Sequence, residues 1–188
     1  CKEACVSAQS KRLEESFELT QQIARHAAST TDPRIYALAV KSCGLPPIGG
    51  SCALLSAAQW AHLDAENAEP WLFVLDDATR RKDRALMDES LHRIGTAAHF
   101  DERFFAVTGL IAEHAGEDDL GKLAAHVLAV EALGVRGAQS LPLDALSNAC
   151  GPAAIRDANR RQECDAAAAT LAERSDSLLA ASIGASVG

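Results

Sequence analysis

Residues 63–83 read LDAENAEPWLFVLDDATRRKD, a stretch with a marked helix start, an apolar centre and a charged end. Asn67 belongs to the residue types that cap helix N-termini, because its side-chain oxygen can accept a hydrogen bond from a free backbone N–H. The apolar centre runs from Trp71 to Leu75, and we expect the Trp71 ring to be buried. The charged stretch 81–83 then predicts a turn into a second helix.

The composition of the whole chain also favours helices. Alanine makes up about a fifth of the 188 residues, and it is the best helix former. β-branched residues are sparse, and no long stretch alternates apolar and polar residues as a half-buried strand does. Apolar residues amount to 48%, which is enough to build a core in a chain of this length. We therefore predict a single all-α domain spanning residues 1–188.

Start and stop signals divide the chain into about nine helices. A first long helix is predicted over residues 2–28. Asp32, followed by a proline, starts the next helix, and Ser51 can cap the one after it. Asp101 starts a later helix. Pro152 begins the last helix, which we expect to be long and continuous because the sequence beyond it is rich in alanine and leucine.

The helix-start residues Pro33, Asn67 and Asp101 lie thirty-four residues apart, twice in succession. The three units so defined each hold two predicted helices: 33–43 with 51–65, 67–80 with 83–97, and 101–115 with 118–133. A helix–turn–helix period of thirty-four residues is that of tetratricopeptide repeats. Trp71 stands where that family places an early aromatic residue, and Phe105 is its counterpart in the next unit. Residues 33–134 thus resemble a degenerate, tetratricopeptide-like helical repeat.

The resemblance implies stacked helix pairs that bury their apolar stripes jointly, with rings such as Trp71 and Phe105 between neighbouring pairs. Residues 1–31 and 135–188 would then supply flanking helices that cap the array. By the family's geometry, the first helix of each pair lines a concave binding face. The exposed candidates for partner binding on that face are Asn67, Glu69, Asp76 and Arg80.

The charge distribution limits the classes of partner. The net charge of −8 disfavours a nucleic-acid partner and an anionic lipid surface, because both attract basic faces. No stretch approaches the roughly 20 apolar residues that span a bilayer. One basic cluster is interpreted as a solvated helix end that complements the helix dipole, rather than as a phosphate site. It consists of Arg80, Arg81, Lys82 and Arg84.

The six cysteines favour an oxidising compartment, periplasmic or secreted. Their spacing suits disulfides better than metal ligands, since no C-x-x-C pair is present. Cys43 and Cys52 flank a short loop rich in proline and glycine, and we predict a disulfide between them. The alternative is a cytosolic protein with six buried free thiols.

The other pairings stay open. A continuous helix from Pro152 would carry Cys164 about 20 Å along its axis, whereas a disulfide needs α-carbons within about 7 Å. Cys150 and Cys164 are therefore poorly suited to each other, and one or both could instead pair with Cys1 or Cys5. Cys1 could also carry a lipid.

The chain lacks the common catalytic and nucleotide-binding motifs. Neither a helical zinc pair, a nucleophile elbow nor a glycine-rich phosphate loop occurs. A zinc site built from His99, His114 and their acidic neighbours is conceivable, but isolated surface histidines are the more common case. We predict no catalytic residue, no metal and no cofactor.

Three hypotheses about function follow. The first is a non-enzymatic, exported scaffold that binds a protein or peptide partner, with a basic or mixed peptide as the natural ligand of an acidic chain. The second is a secreted or periplasmic enzyme or small-ligand binder on an irregular helical bundle. The third is a structural component that assembles through its long first and last helices.

Overall fold

The computed structural model describes residues 2–44, 49–102 and 141–187. These residues form an all-α fold, as the composition predicts, with eight α-helices and two short 3₁₀ segments. The α-helices are α1 (Lys2–Ala27), α2 (Pro33–Cys43), α3 (Ala57–Leu63), α4 (Ala68–Arg81), α5 (Arg84–Thr96), α6 (Leu143–Ala149), α7 (Ala158–Glu173) and α8 (Leu178–Val187). The 3₁₀ segments are Gly50–Leu54 and Ala154–Arg156.

Helix α4 lies between the two hydrophobic cores of the described residues. On one side, Leu72 and Leu75 join a core built with α5, α6, α7 and α8. On the other side, Phe73 and Val74 join a core built with α1, α2 and α3. Trp71 is partly buried and contacts both cores. A helix that touches two cores must be apolar around its circumference, and the run from Trp71 to Leu75 meets that requirement.

Helices that follow one another in the chain pack side by side. Helix α2 contacts α1 and α3, and α4 contacts α3 and α5. Helix α5 then packs against α7, and α7 against α8, while α6 lies against α4. The arrangement is a series of packed neighbouring pairs, which is the coarse architecture that the sequence predicts.

Two of the predicted helix starts are confirmed by their caps. Asp32 accepts a hydrogen bond from the Arg34 N–H at 2.8 Å, and Asn67 accepts one from the Glu69 N–H at 3.1 Å. The prediction for Ser51 is wrong. It lies inside the first 3₁₀ segment, and Ser56 caps α3 instead, with its hydroxyl 3.1 Å from the Gln59 N–H.

The prediction of one long last helix is also wrong. Residues after Pro152 form a 3₁₀ segment, and the chain becomes extended at Asp157 before α7 begins. This turn brings the α-carbons of Cys150 and Cys164 to 5.7 Å, and the two form a disulfide. The expectation that they pair elsewhere fails because it assumed a straight helix between them.

The predicted disulfide between Cys43 and Cys52 is confirmed, with α-carbons 5.5 Å apart. Two disulfides indicate an oxidising environment outside the cytoplasm. Of the other cysteines, Cys1 lies outside the described residues. No helix in the described part of the chain is long and apolar enough to cross a membrane.

The repeat itself stays a prediction. Phe105, the helices of the third unit beyond Glu102, His114 and the proposed Trp71–Phe105 equivalence lie outside the described residues. Within the described residues, the second unit forms the packed pair α4 and α5. The first unit is less regular, because α2 packs against α1 as well as α3 and the second half of the unit is split between a 3₁₀ segment and a short helix.

Candidate functional site

A cleft of about 990 Å³ opens where the end of α4 meets α5, α6 and α7. Its volume lies near the upper end of the range for small-molecule pockets, about 300–1,000 Å³. Its walls combine polar and apolar side chains. The lining residues with charged side chains are Lys82, Arg84, Asp88, Asp157, Arg160 and Glu163.

Two capped helix starts shape the rim of this cleft. Asp83 caps α5 through a bond from the Leu86 N–H at 3.1 Å, and Asp157 caps α7 through one from the Arg160 N–H at 2.8 Å. Lys82 ends α4 in the left-handed conformation, with φ of 57°. The chain therefore turns sharply from α4 into α5, which places the side chains of Lys82 and Arg84 beside the N-terminus of α7.

The Cys150–Cys164 disulfide anchors the segment that forms another wall of the cleft. It links the end of α6 to the middle of α7, and both cysteines are buried. The segment between them carries Ala153, Ala154 and Asp157, which all line the cleft. The disulfide thus limits how far this segment can move relative to α7.

Ion pairs across the cleft connect α7 with α5. The Arg160 guanidinium bonds through Nη2 to Oδ1 of Asp88. One Glu163 carboxylate oxygen lies 3.4 Å from Nδ1 of His92, a contact that is ionic when the imidazole is protonated. Nη1 of Arg160 is buried and has no hydrogen-bond partner. Arg160 therefore has a guanidinium donor that no described residue uses.

The four candidates from the repeat resemblance do not gather on one exposed face. Asp76 and Arg80 lie on the partly exposed side of α4, where they form an ion pair at 3.1 Å. Neither lines the cleft. Asn67 and Glu69 were expected to be exposed, and this is wrong, because both side chains are fully buried.

Glu69 is buried because Lys41 of α2 reaches it. The two side chains form an ion pair, with 0% of Glu69 and 7% of the Lys41 side chain exposed. Lys41 Nζ also donates to the carbonyl of Glu102 at 2.8 Å and lies 5.4 Å from the centre of the Trp60 ring. These contacts offset the cost of burying two charges.

Asn67 is buried because it joins two chain segments as well as capping α4. Its Oδ1 accepts a bond from the Asp101 N–H at 3.0 Å, and its Nδ2 donates to the Asp101 carbonyl at 2.9 Å. Nδ2 also donates to Oδ2 of Asp64 at 3.0 Å. Both polar atoms of Asn67 are thus used internally, which makes it a structural residue in the described part of the protein.

Three acidic residues, Asp101, Glu102 and Asp176, lie close together where the segment after α5 meets the segment after α7. Asp176 accepts a hydrogen bond from the Glu102 N–H at 3.4 Å. Partial burial, together with the nearby Asp101 carboxylate, raises the pKa of Asp176 above its ordinary value of 3.8. Within the ranges that the structure describes, no group of three His, Cys, Asp or Glu side chains could hold a metal ion.

The sequence analysis missed the cleft residues of α7. The sequence does not predict Arg160 and Glu163 as site residues, because a continuous last helix gives no sign that they lie against α5. One signal could have found them: Asp157 is a good N-cap residue five positions after Pro152, and it predicts a new helix start. Lys82 and Arg84 belong to the basic cluster that the sequence predicts to be a solvated helix end, whereas in the structure they line the cleft.

No family model, curated protein or solved structure matches the chain. The resemblance to tetratricopeptide repeats therefore rests on the sequence spacing and on the packing of α4 with α5.

Proposed function

We propose that this protein is a non-enzymatic, exported scaffold that binds a segment of a protein or peptide partner. The observation that carries the proposal is the cleft of about 990 Å³ between α4, α5, α6 and α7. Its walls come from four separate helices that pack into one core, so the binding surface is held by the fold. A cleft lined by side chains of both charge signs suits an extended peptide better than a purely apolar molecule.

The contacts of the cleft carboxylates support binding rather than proton transfer. Asp88 bonds to Arg160, Asp157 caps α7, and Glu163 faces His92. Each of these groups therefore already contacts a group of the protein. A general base would instead need a carboxylate or imidazole free to reach a substrate proton.

We also propose that the packed helix pairs are tetratricopeptide-like repeats. The spacing of Pro33, Asn67 and Asp101 supports this, as does the packing of α4 against α5. In this interpretation the cleft lies at the end of the second pair, where α7 packs against α5.

A small-ligand binder is the alternative on the same geometry. The cleft volume fits a small polar molecule, and the disulfide-linked segment 150–164 would form a fixed part of the wall around such a ligand. In that case a peptide would bind weakly or not at all.

Peptide selection with matched cleft variants tests the proposal. A random peptide library is displayed on phage and selected against the purified protein. Selected peptides are then measured by fluorescence anisotropy with wild type and with Ala153→Trp, which places an indole in the cleft. Ala58→Trp on the exposed side of α3 is the matched control. We expect roughly tenfold weaker binding to Ala153→Trp and unchanged binding to Ala58→Trp.

Two outcomes contradict the proposal. If no peptide is enriched, the protein is not a peptide binder of this kind. If the selected peptides bind both tryptophan variants as well as wild type, the cleft is not the binding site. Circular dichroism of each variant confirms that the helices are retained.

The proposed location has its own test. Thiol titration of the denatured, unreduced protein purified from its native source should find at most two of the six cysteines reactive. More than two reactive thiols would place the protein in a reducing compartment and remove the support for export.

A further inference from the structure

We infer that the cleft recognises an acidic peptide segment, held by the cationic groups of Lys82, Arg84 and Arg160. The inference rests on the proposed peptide-binding function and names the charge of the peptide. It departs from the expectation that an acidic chain binds a basic or mixed peptide, because the cations and the acids of the cleft differ in what they already contact.

The cationic side chains of the cleft have N–H donors that no described residue uses. Lys82 and Arg84 are exposed at the rim, and neither side chain has a hydrogen-bond or ion-pair partner among the residues that the structure describes. Arg160 uses Nη2 for Asp88, while its buried Nη1 is without a partner. Arg160 therefore keeps a guanidinium donor that no described residue uses, and a small side-chain movement could turn it toward a carboxylate in the cleft.

Each acid of the cleft has a contact within the protein. Asp88 accepts the Arg160 bond, and Asp157 accepts the Arg160 backbone N–H at 2.8 Å. Glu163 lies 3.4 Å from His92. Lys82 and Arg84 are therefore the charged lining residues that lack a partner in the described part of the chain, although the formal charges of the lining balance.

The helix directions add to this preference. Helices α5 and α7 both begin at the rim, at Arg84 and Ala158, so their positive dipole ends point toward the same space. Each dipole is partly compensated by its capping aspartate. The guanidinium of Arg160 can also donate to a second carboxylate, since it carries five N–H donors.

The net charge of −8 does not prevent this recognition. At physiological salt, exposed charges farther apart than about 8–10 Å are largely screened from each other. Binding in the cleft is then decided by the groups that line it. The same argument predicts that acidic-peptide affinity falls as salt is raised, because the contacts are ionic.

The test compares two synthetic decapeptides labelled with fluorescein, which differ only in having Glu or Gln at alternate positions. Binding is measured by anisotropy at low and physiological salt, with inorganic phosphate as a third, competing probe. The cleft variant combines Lys82→Asn with Arg84→Gln; Asn is chosen because it tolerates the left-handed conformation of Lys82. The control combines Lys11→Gln with Arg25→Gln, two exposed cations of α1.

We expect the Glu peptide to bind at least roughly tenfold more tightly than the Gln peptide, and the cleft variant to lose about tenfold. The control should lose less than about twofold, although its net charge changes equally. Arg160→Lys, which keeps the charge but removes the fork of donors, should also weaken binding.

Several results would overturn the inference. Equal binding of both peptides, or equal losses in cleft variant and control, shows that no acidic segment is recognised. Binding of phosphate without binding of the Glu peptide shows a site for a free anion instead. In each case the library selection with Ala153→Trp decides separately whether the cleft binds any peptide.

Discussion

Lys41 of α2 and Glu69 of α4 form an ion pair in the protein interior, where the Glu69 side chain is fully buried. The pair joins two helices that do not follow each other in the chain. Lys41 also contacts the Glu102 carbonyl and the Trp60 ring, so a single ammonium group joins α2 to α3, to α4 and to the segment at Glu102.

Removing one member of this pair should destabilise the fold strongly. Glu69→Ala leaves the Lys41 ammonium group buried without its carboxylate, and we expect a loss of about 3–5 kcal/mol in the free energy of unfolding. Urea denaturation followed by circular dichroism measures it. The control is Asp76→Ala, which breaks the more exposed Arg80–Asp76 pair and should cost less than about 1 kcal/mol. Similar losses for both variants would show that Lys41 is solvated once Glu69 is absent.

Asn67→Ala should cost more than the loss of a simple helix cap. It removes the cap of α4 and also leaves the Asp101 N–H and carbonyl without their partner. We expect about 3 kcal/mol, since a cap contributes about 1 kcal/mol and each unsatisfied buried group about 1–3 kcal/mol. Ser56→Ala removes only the cap of α3 and should cost about 1 kcal/mol. Equal urea midpoints of the two variants would contradict a joining role for Asn67.

The pH dependence of stability should change in opposite directions at two aspartates. The pKa of Asp176 is raised by burial and by Asp101, so its contribution to stability is full below 3.8 and is lost as pH rises through the folded pKa. Asp176→Asn should therefore be more stable than wild type near neutral pH. The hydrogen bond with Arg34 lowers the pKa of Asp32, whose contribution is present above 3.8 and is lost as pH falls through the folded pKa.

Thermal unfolding across the acid range measures both effects. Asp32→Asn should be less stable than wild type near neutral pH, the reverse of Asp176→Asn. Each difference should shrink at acid pH, for Asp176 once the pH is below 3.8 and for Asp32 once it is below its lowered folded pKa. A destabilised Asp176→Asn at neutral pH would show that its hydrogen bond with the Glu102 N–H outweighs the repulsion from Asp101.

Gly184→Ala should destabilise the protein although alanine is the better helix former. A Cβ at this position would lie 2.6 Å from the Ala168 carbonyl oxygen and from the Ala172 nitrogen, both backbone atoms of α7. The helices must separate, and we expect a loss of about 1–3 kcal/mol. Gly151→Ala is the control, because its nearest atoms would lie 3.5 Å away. Thermal unfolding that ranks Gly151→Ala as the less stable variant would contradict the close approach of α7 and α8.

Local chemistry explains why several features were predictable. The caps at Asp32 and Asn67 act on N–H groups two residues away, and the Cys43–Cys52 bridge closes a short loop. Interactions between residues so close in the chain can be predicted from the local sequence. The same holds for the helical class of the protein, because alanine content acts through each residue's own backbone preference.

The tertiary structure alone decided the rest. Glu69 has the sequence context of an exposed first-turn acid, and only Lys41, brought to it by the packing of α2, makes its burial possible. The cleft likewise depends on a bend at Asp157 that returns Arg160 to Asp88. Pairings between residues distant in the chain depend on how whole helices pack, and a helix pattern specifies which face is apolar but not which neighbour will cover it.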